Sequence, residues 1–205
     1  MTAKRTIVVS GAPATGKSTV AAVVADKLGL PLLNLDTVKE TLADVLGVGD
    51  EASSYALGDA AAEVVFRLSA VFPCAVVEGW WRGERRTQAE QRFAGCVEIF
   101  CHCEPTLAEH RMRMRQRADR HPIHRDMMNP EVIEQAAHLA RTVVPLRVGA
   151  ALIEVDTTSA VAWDALFGAV RDALDQGIVS SAALAERKLG AAPSWAVVER
   201  GEAGG

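Results

Sequence analysis

No stretch of the sequence is apolar for long enough to span a bilayer, although 49% of its residues are hydrophobic, so nothing in it reads as a transmembrane helix. Net positive charge is also missing. At −4, the chain lacks the overall balance of a general nucleic-acid binder. Cysteines are few: Cys74, Cys96, Cys101 and Cys103, three of them in strand-like apolar runs that suit reduced core thiols of a cytoplasmic protein. Cys101-His102-Cys103 has no second ligand pair at zinc-like spacing, which sets a structural metal aside. No internal repeat or long linker divides the chain. Met1-Thr2-Ala3-Lys4-Arg5 passes straight into a strand-like run, so no signal peptide is expected. Two hundred and five residues suit one domain with a core that needs no disulfides.

What is present is concentrated near the start. Thr6-Ile7-Val8-Val9-Ser10 is a short apolar run of the kind a buried strand makes. Gly11-Ala12-Pro13-Ala14-Thr15-Gly16-Lys17-Ser18-Thr19 follows, and Val20, Val23, Val24 and Leu28 then recur at helical spacing. Strand, glycine-rich turn, Gly-Lys-Ser and helix together form a P-loop. Phosphate oxygens need backbone N–H donors, so the side chains around them must be small or absent. The helix opening at Gly16 adds unpaired N–H groups and the positive end of its dipole. Lys17 supplies a point charge to the β- and γ-phosphates, and the Ser18 hydroxyl is placed for Mg²⁺. This pattern predicts binding of a nucleoside triphosphate, taken as ATP.

Downstream, Gly29 closes the first helix and residues 32–35 form a strand that ends at Asp36. Ligands of open α/β sheets gather at the carboxyl ends of strands, so Asp36 and Lys39 face the phosphate crevice. Asp36 is alternatively the N-cap of a helix over residues 37–46. Residues 47–73, with a helix over 60–71, make a substrate-side excursion. The next strand ends in Glu78-Gly79-Trp80-Trp81-Arg82. A carboxylate there would otherwise be an unpaired buried charge, so Glu78 is assigned to Mg²⁺ or a substrate hydroxyl. Trp80 and Trp81 either wall a pocket or cover the core. Helices over 87–93 and 105–118 flank a strand at 97–103. A helix beginning at Asn129-Pro130, a strand at 151–155, a closing helix at 160–174 and a further one at 181–189 complete the chain, whose last five residues read as frayed.

Residues 110–125 hold six arginines, Arg111, Arg113, Arg115, Arg117, Arg120 and Arg125, against one acid, Asp119; this local +5 on a chain of net −4 leaves −9 elsewhere. Such a cluster is either a solvated basic face or a device that closes over phosphates. His121 and His124 read as loop hydrogen-bonders.

These parts in this order resemble the P-loop phosphotransferases of the adenylate-kinase-like type, in the branch of zeta toxin, chloramphenicol phosphotransferase and polynucleotide kinase known as predicted kinases of the AAA family. The resemblance covers about residues 5–175. It implies a three-layer α/β fold, a five-stranded parallel sheet of order 2-3-1-4-5 with helices on both faces, and a helical lid at about 111–126. The kinase domain would span residues 1–178, with the insertion at 37–73 and a helical extension at 179–205. By the same resemblance Asp36 accepts the proton of the attacking hydroxyl. Arg117 and Arg120 match lid arginines that steady the transferring phosphoryl group, and Arg113 joins them on the nucleotide. Asp156-Thr157-Thr158 matches a turn near the adenine ring. Glu78 stands in the outer sphere of a Mg²⁺ held by Ser18, while Lys39, Trp80 and Arg82 meet the acceptor. Lys39 stands where polynucleotide kinases carry an arginine, a departure that argues against a polynucleotide acceptor. The resemblance thus implies a small-molecule hydroxyl acceptor, with a polynucleotide 5′-end or a non-catalytic nucleotide switch as alternatives, in a monomer or homodimer.

Overall fold

The computed structural model describes residues 5–116, 121–124 and 130–189. Five strands, β1 (Arg5–Gly11), β2 (Leu32–Asn34), β3 (Cys74–Glu78), β4 (Cys96–His102) and β5 (Gly149–Asp156), pair in parallel in the order β2-β3-β1-β4-β5. The expected topology is thus the observed one. Among the described residues seven helices connect and cover them: α1 (Lys17–Leu28), α2 (Leu35–Leu46), α3 (Glu51–Val71), α4 (Gly83–Arg92), α5 (Pro105–Gln116), α6 (Pro130–Thr142) and α7 (Trp163–Leu189). Among the described residues no helix is long and apolar enough to cross a membrane.

The central strand is apolar at successive positions because both of its faces are covered. Ile7 and Val9 join Val76, Ile99 and Val155 under Val20, Ala21 and Val24 of α1 and Leu166, Phe167 and Val170 of α7. Val8 instead joins Val77 and Leu33 under Ala61, Ala62, Val65 and Phe66 of α3 and Ala89 of α4. One alternation of side chains therefore builds two cores. Two smaller clusters dock the remaining elements: Met112 of α5 and Ile133 and Ala136 of α6 close over Ala14, and Ile123 packs with Ala43 and Leu57.

Several boundaries differ from those expected. Helix α3 begins at Glu51, nine residues before the apolar pattern at residue 60, because Asp50 accepts a hydrogen bond from Ser53 N at 2.9 Å and starts the helix early. Gly58 lies inside it with the Arg85 guanidinium against it; a Cβ there would come within 2.9 Å of Arg85 Nη1. The helices expected at 160–174 and 181–189 are one continuous α7. Helix α1 ends as expected: Gly29 is left-handed at φ 63°, and Leu30 N donates to Ala25 O at 2.9 Å. The frayed residues 201–205 lie outside the described residues, as do residues 117–120 and 125–129 of the arginine-rich segment and the helix start at Asn129.

Candidate active site

The carboxyl ends of the five strands, Gly11, Asn34, Glu78, His102 and Asp156, lie along one edge of the sheet. The turn leaving β1 is tight. Gly11 adopts φ 138°, and a Cβ on it would lie 2.2 Å from Cys101 O and 2.9 Å from Thr15 Oγ1, so no other residue fits. Gly16 follows at φ 80° as the N-cap of α1, which has no side-chain cap. The first N–H groups of that helix thereby keep their capacity for an anion. Ala14 is left-handed too, at φ 63°, a conformation costly for a residue with a Cβ. The loop is held in this shape from both sides. Thr15 Oγ1 and Lys17 Nζ each donate to Ala12 O at 2.8 Å. Thr157 Oγ1 donates to Thr15 O at 2.9 Å from the turn after β5.

Opposite the loop stands Glu78, 4% exposed. Its Oε2 accepts from Asn34 Nδ2 on the neighbouring strand and from Ser18 Oγ at 3.5 Å. Burial pushes the Glu78 carboxyl above the ordinary range, and the Lys17 ammonium opposes that. Burial likewise lowers Lys17, with Glu78 pulling it back up. Each charge thus makes the other tolerable where both are buried. Oxygen donors on facing elements fit Mg²⁺, which needs only one or two protein ligands when phosphates supply the rest. Among the described residues no group of three or more His, Cys, Asp or Glu could cage a metal without such help. The Cys101 thiol is pushed up to about 12 by burial and stays neutral.

Two cavities flank the loop. The first, of about 90 Å³, is lined by Pro13, Lys17, Ser18, Leu35, Asp36, Lys39, Gly58, Glu78, Trp80, Arg82, Arg85, Arg115 and His124. The second, of about 300 Å³, is lined by Ala14, Gly16, Thr19, Val20, Arg111, Arg115, Thr157, Ser159, Val161 and Trp163. Arg115 borders both.

Asp36, Lys39, Glu78, Trp80 and Arg82 therefore converge with Lys17 and Ser18 on one cavity, whereas Gly16, Thr19 and Thr157 line the other. The cap alternative for Asp36 is settled by Asn34, whose side chain accepts from Thr37 N at 2.8 Å; Asp36 lies inside the first turn of α2. The tryptophans divide. Trp80 borders the first cavity, while Trp81 is 4% exposed and stacks on Phe66 with ring centroids 5.4 Å apart.

Two residues expected at the nucleotide lie elsewhere. Arg113 pairs with Glu109 one helical turn back, at 2.6 Å, and lines neither cavity. The α5 face turned to the loop carries Met112 between Arg111 and Arg115 instead. Asp156 is exposed and caps its own turn by accepting from Thr158 N at 2.8 Å; hydrogen bonds from the Thr158 side chain and then its backbone hold the carboxyl below the usual range. Arg117 and Arg120 lie outside the described residues.

The sequence pattern assigns several neighbours no part in the site. Arg111 donates through Nη2 to Thr157 O at 2.7 Å and through Nη1 to Thr157 Oγ1 at 3.1 Å, tying α5 to the turn that braces the loop. His124, 4% exposed, meets Glu40 at 2.9 Å, and His121 meets Asp44 at the same distance, so residues 121–124 are docked on α2. Behind the loop, Glu98 is 1% exposed and accepts from Ser10 Oγ at 2.5 Å and from Leu146 N and Arg147 N at 2.7 Å each. An acid inside the apolar run Val97-Glu98-Ile99-Phe100 was the available signal for that anchor.

The chain is similar to the crystal structure of a candidate kinase from Chloroflexus aurantiacus, at 28% identity and a TM-score of 0.73 over 83% of this chain and 98% of that one. It also shares its fold with shikimate kinase from Acinetobacter baumannii solved with shikimate, at 18% identity and a TM-score of 0.51 over 90% and 96% of the two chains. No protein of curated function matches its sequence. The AAA domain family profile matches residues 7–142, a span that holds the P-loop, Asp36, Glu78 and the arginine-rich segment, and the chain belongs to that family.

Proposed function

We propose that this protein is an ATP-dependent phosphotransferase that moves the γ-phosphate of ATP to a hydroxyl of a small molecule. The observation that carries the reading is the P-loop set between two cavities that share Arg115, with Lys17, Asp36 and Glu78 all bordering the smaller one. The larger cavity suits the nucleoside and the smaller one the acceptor, so the γ-phosphate would lie where they meet. The kinase name of the Chloroflexus relative supports the same conclusion.

Phosphoryl transfer asks for positioning and charge neutralisation more than for covalent help. Lys17 neutralises charge that develops between the β- and γ-phosphates, and Arg115 reaches the same place from α5. Mg²⁺, held by Ser18 with Glu78 in its outer sphere, would supply the remaining positive charge. Asp36 takes the proton of the acceptor hydroxyl as its oxygen bonds to phosphorus and the bond from phosphorus to the ADP oxygen breaks. A cavity of about 90 Å³ favours a small acceptor over a polynucleotide strand. The test is a transfer screen with γ-labelled ATP against pooled hydroxyl metabolites, aminoglycosides and 5′-hydroxyl oligonucleotides. A labelled small molecule is the expected product. Label on the oligonucleotide, or on nothing but water, would overturn the proposal.

A further inference from the structure

We infer that the base of the nucleotide is held by stacking on Trp163 and not by hydrogen bonds that read its edge, so that GTP serves this enzyme as well as ATP. The inference rests on the phosphotransferase reading and deepens it at the larger cavity. Telling adenine from guanine takes a fixed donor or acceptor set against the exocyclic amino or oxo group. Carboxylates and carboxamides are the side chains that supply one. Among the described residues that line this cavity there is neither. The polar side chains are three hydroxyls, Thr19, Thr157 and Ser159, and two guanidinium groups, Arg111 and Arg115.

The turn after β5 has its polar groups engaged inside the protein. Thr157 N donates to His102 O at 2.9 Å, and the Thr157 carbonyl accepts from Arg111 Nη2 at 2.7 Å. The Thr157 hydroxyl accepts from Arg111 Nη1 at 3.1 Å and donates to Thr15 O at 2.9 Å. Thr158 N donates to Asp156 Oδ1 at 2.8 Å, and Val161 O accepts from Trp163 N at 3.0 Å. Arg111 is occupied by the same contacts, while Thr19, in the first turn of α1, and Arg115 serve the phosphates. Ser159 is exposed, and its hydroxyl donates or accepts equally, so it suits either edge. Trp163 offers a surface instead. It opens α7 and packs against the core beneath α1. Its ring stacks on that of Phe167, one helical turn on, with centroids 6.1 Å and planes 24° apart. An indole backed in this way keeps its orientation, so little freedom is lost when a base meets it. Every base has a π face, and stacking therefore adds affinity without choosing between purines.

The experiment measures binding of three probes to the full chain by calorimetry with Mg²⁺: non-hydrolysable analogues of ATP and of GTP, and inorganic tripolyphosphate, which has no base. The wild type, Trp163→Leu and Trp163→Phe are compared. The two analogues should bind the wild type within about fivefold of each other. A site that hydrogen-bonds one edge would separate them by about 10⁴–10⁵-fold. Trp163→Leu keeps apolar bulk and removes the π face. It should weaken both analogues by the same factor, roughly five- to hundredfold, and leave tripolyphosphate as it was. Trp163→Phe should fall between. The inference is overturned if the analogues differ by more than about fivefold in the wild type. It is also overturned if Trp163→Leu binds them as tightly as the wild type, or if it weakens tripolyphosphate as much, which would make Trp163 structural. The wild-type comparison decides even where a variant does not fold. Tripolyphosphate separates the two levels: if it and the analogues bind and one purine is preferred, only this inference falls. If none of the three binds, the phosphotransferase reading falls with it.

Discussion

Replacing Asp36 by Asn separates chemistry from structure, because the fold has given the cap of α2 to Asn34. Asp36, in the first turn, contributes to the helix through its charge near the positive end of the dipole. That effect is worth about 0.3–1 kcal/mol. For a chain of this size 1 kcal/mol moves the melting temperature by roughly 2–4 °C, so losing that charge in Asp36→Asn should lower it by up to about 4 °C. As general base the same carboxylate should be worth about 10² or more in turnover, with ATP affinity held within a few-fold. Asn34→Ala is the complement: it removes the cap, at a cost of about 1 kcal/mol, and a donor to Glu78 as well. Calorimetric unfolding, ATP titration and steady-state transfer on the two variants give the comparison. Normal turnover in Asp36→Asn would refute the base assignment. A collapse of its ATP affinity would move Asp36 to the metal, and a melting temperature lowered well beyond 4 °C would make it structural.

Three further outcomes are expected. Arg111→Ala should weaken ATP binding by about tenfold through loss of the Thr157 tie, while Arg113→Ala, which loses only an exposed pair with Glu109, should change it less than about twofold; titration of both variants checks this. Glu98→Gln should destabilise the protein by about 1–3 kcal/mol in urea unfolding, since its amide would turn an N–H toward a donor that now finds an acceptor. Asp50, at the start of α3, has its carboxyl held below the usual range by hydrogen bonds from Ser53, so its contribution exists above its ordinary pKa and is lost as pH falls through the lowered one. Asp50→Ala should therefore melt below the wild type at pH 7, with the difference shrinking below about pH 4.

The parts that were legible in the sequence are those written by local patterns. A strand buried on both faces, two glycines at fixed spacing and a helical apolar stripe identify β1, the loop and α1 without help from the rest of the chain. Asn34 and Asp36 are both good caps two residues apart, and only the path of the backbone decides between them. Gly47, Gly49 and Gly58 look like breaks in a helical stretch, yet Gly58 sits inside α3 beside the Arg85 guanidinium. Helical spacing puts Arg113, Arg117 and Arg120 on one strip and Arg111 and Arg115 on another. Which strip faces the loop depends on Met112 docking against Ala14, a contact between elements far apart in the sequence. The role of Glu98 is likewise set by a partner segment, residues 146–147, that no local pattern connects to β4.

The central claim is that Lys17 stabilises a phosphoryl group in transit. It is tested most directly by single-turnover transfer of label from γ-labelled ATP to an acceptor found in the screen, in wild type and in Lys17→Ala. With a charge-assisted phosphate contact worth several kcal/mol in the transition state, the rate should fall on the order of a thousandfold in a variant that melts as a folded protein. An unchanged rate in folded Lys17→Ala would contradict the account.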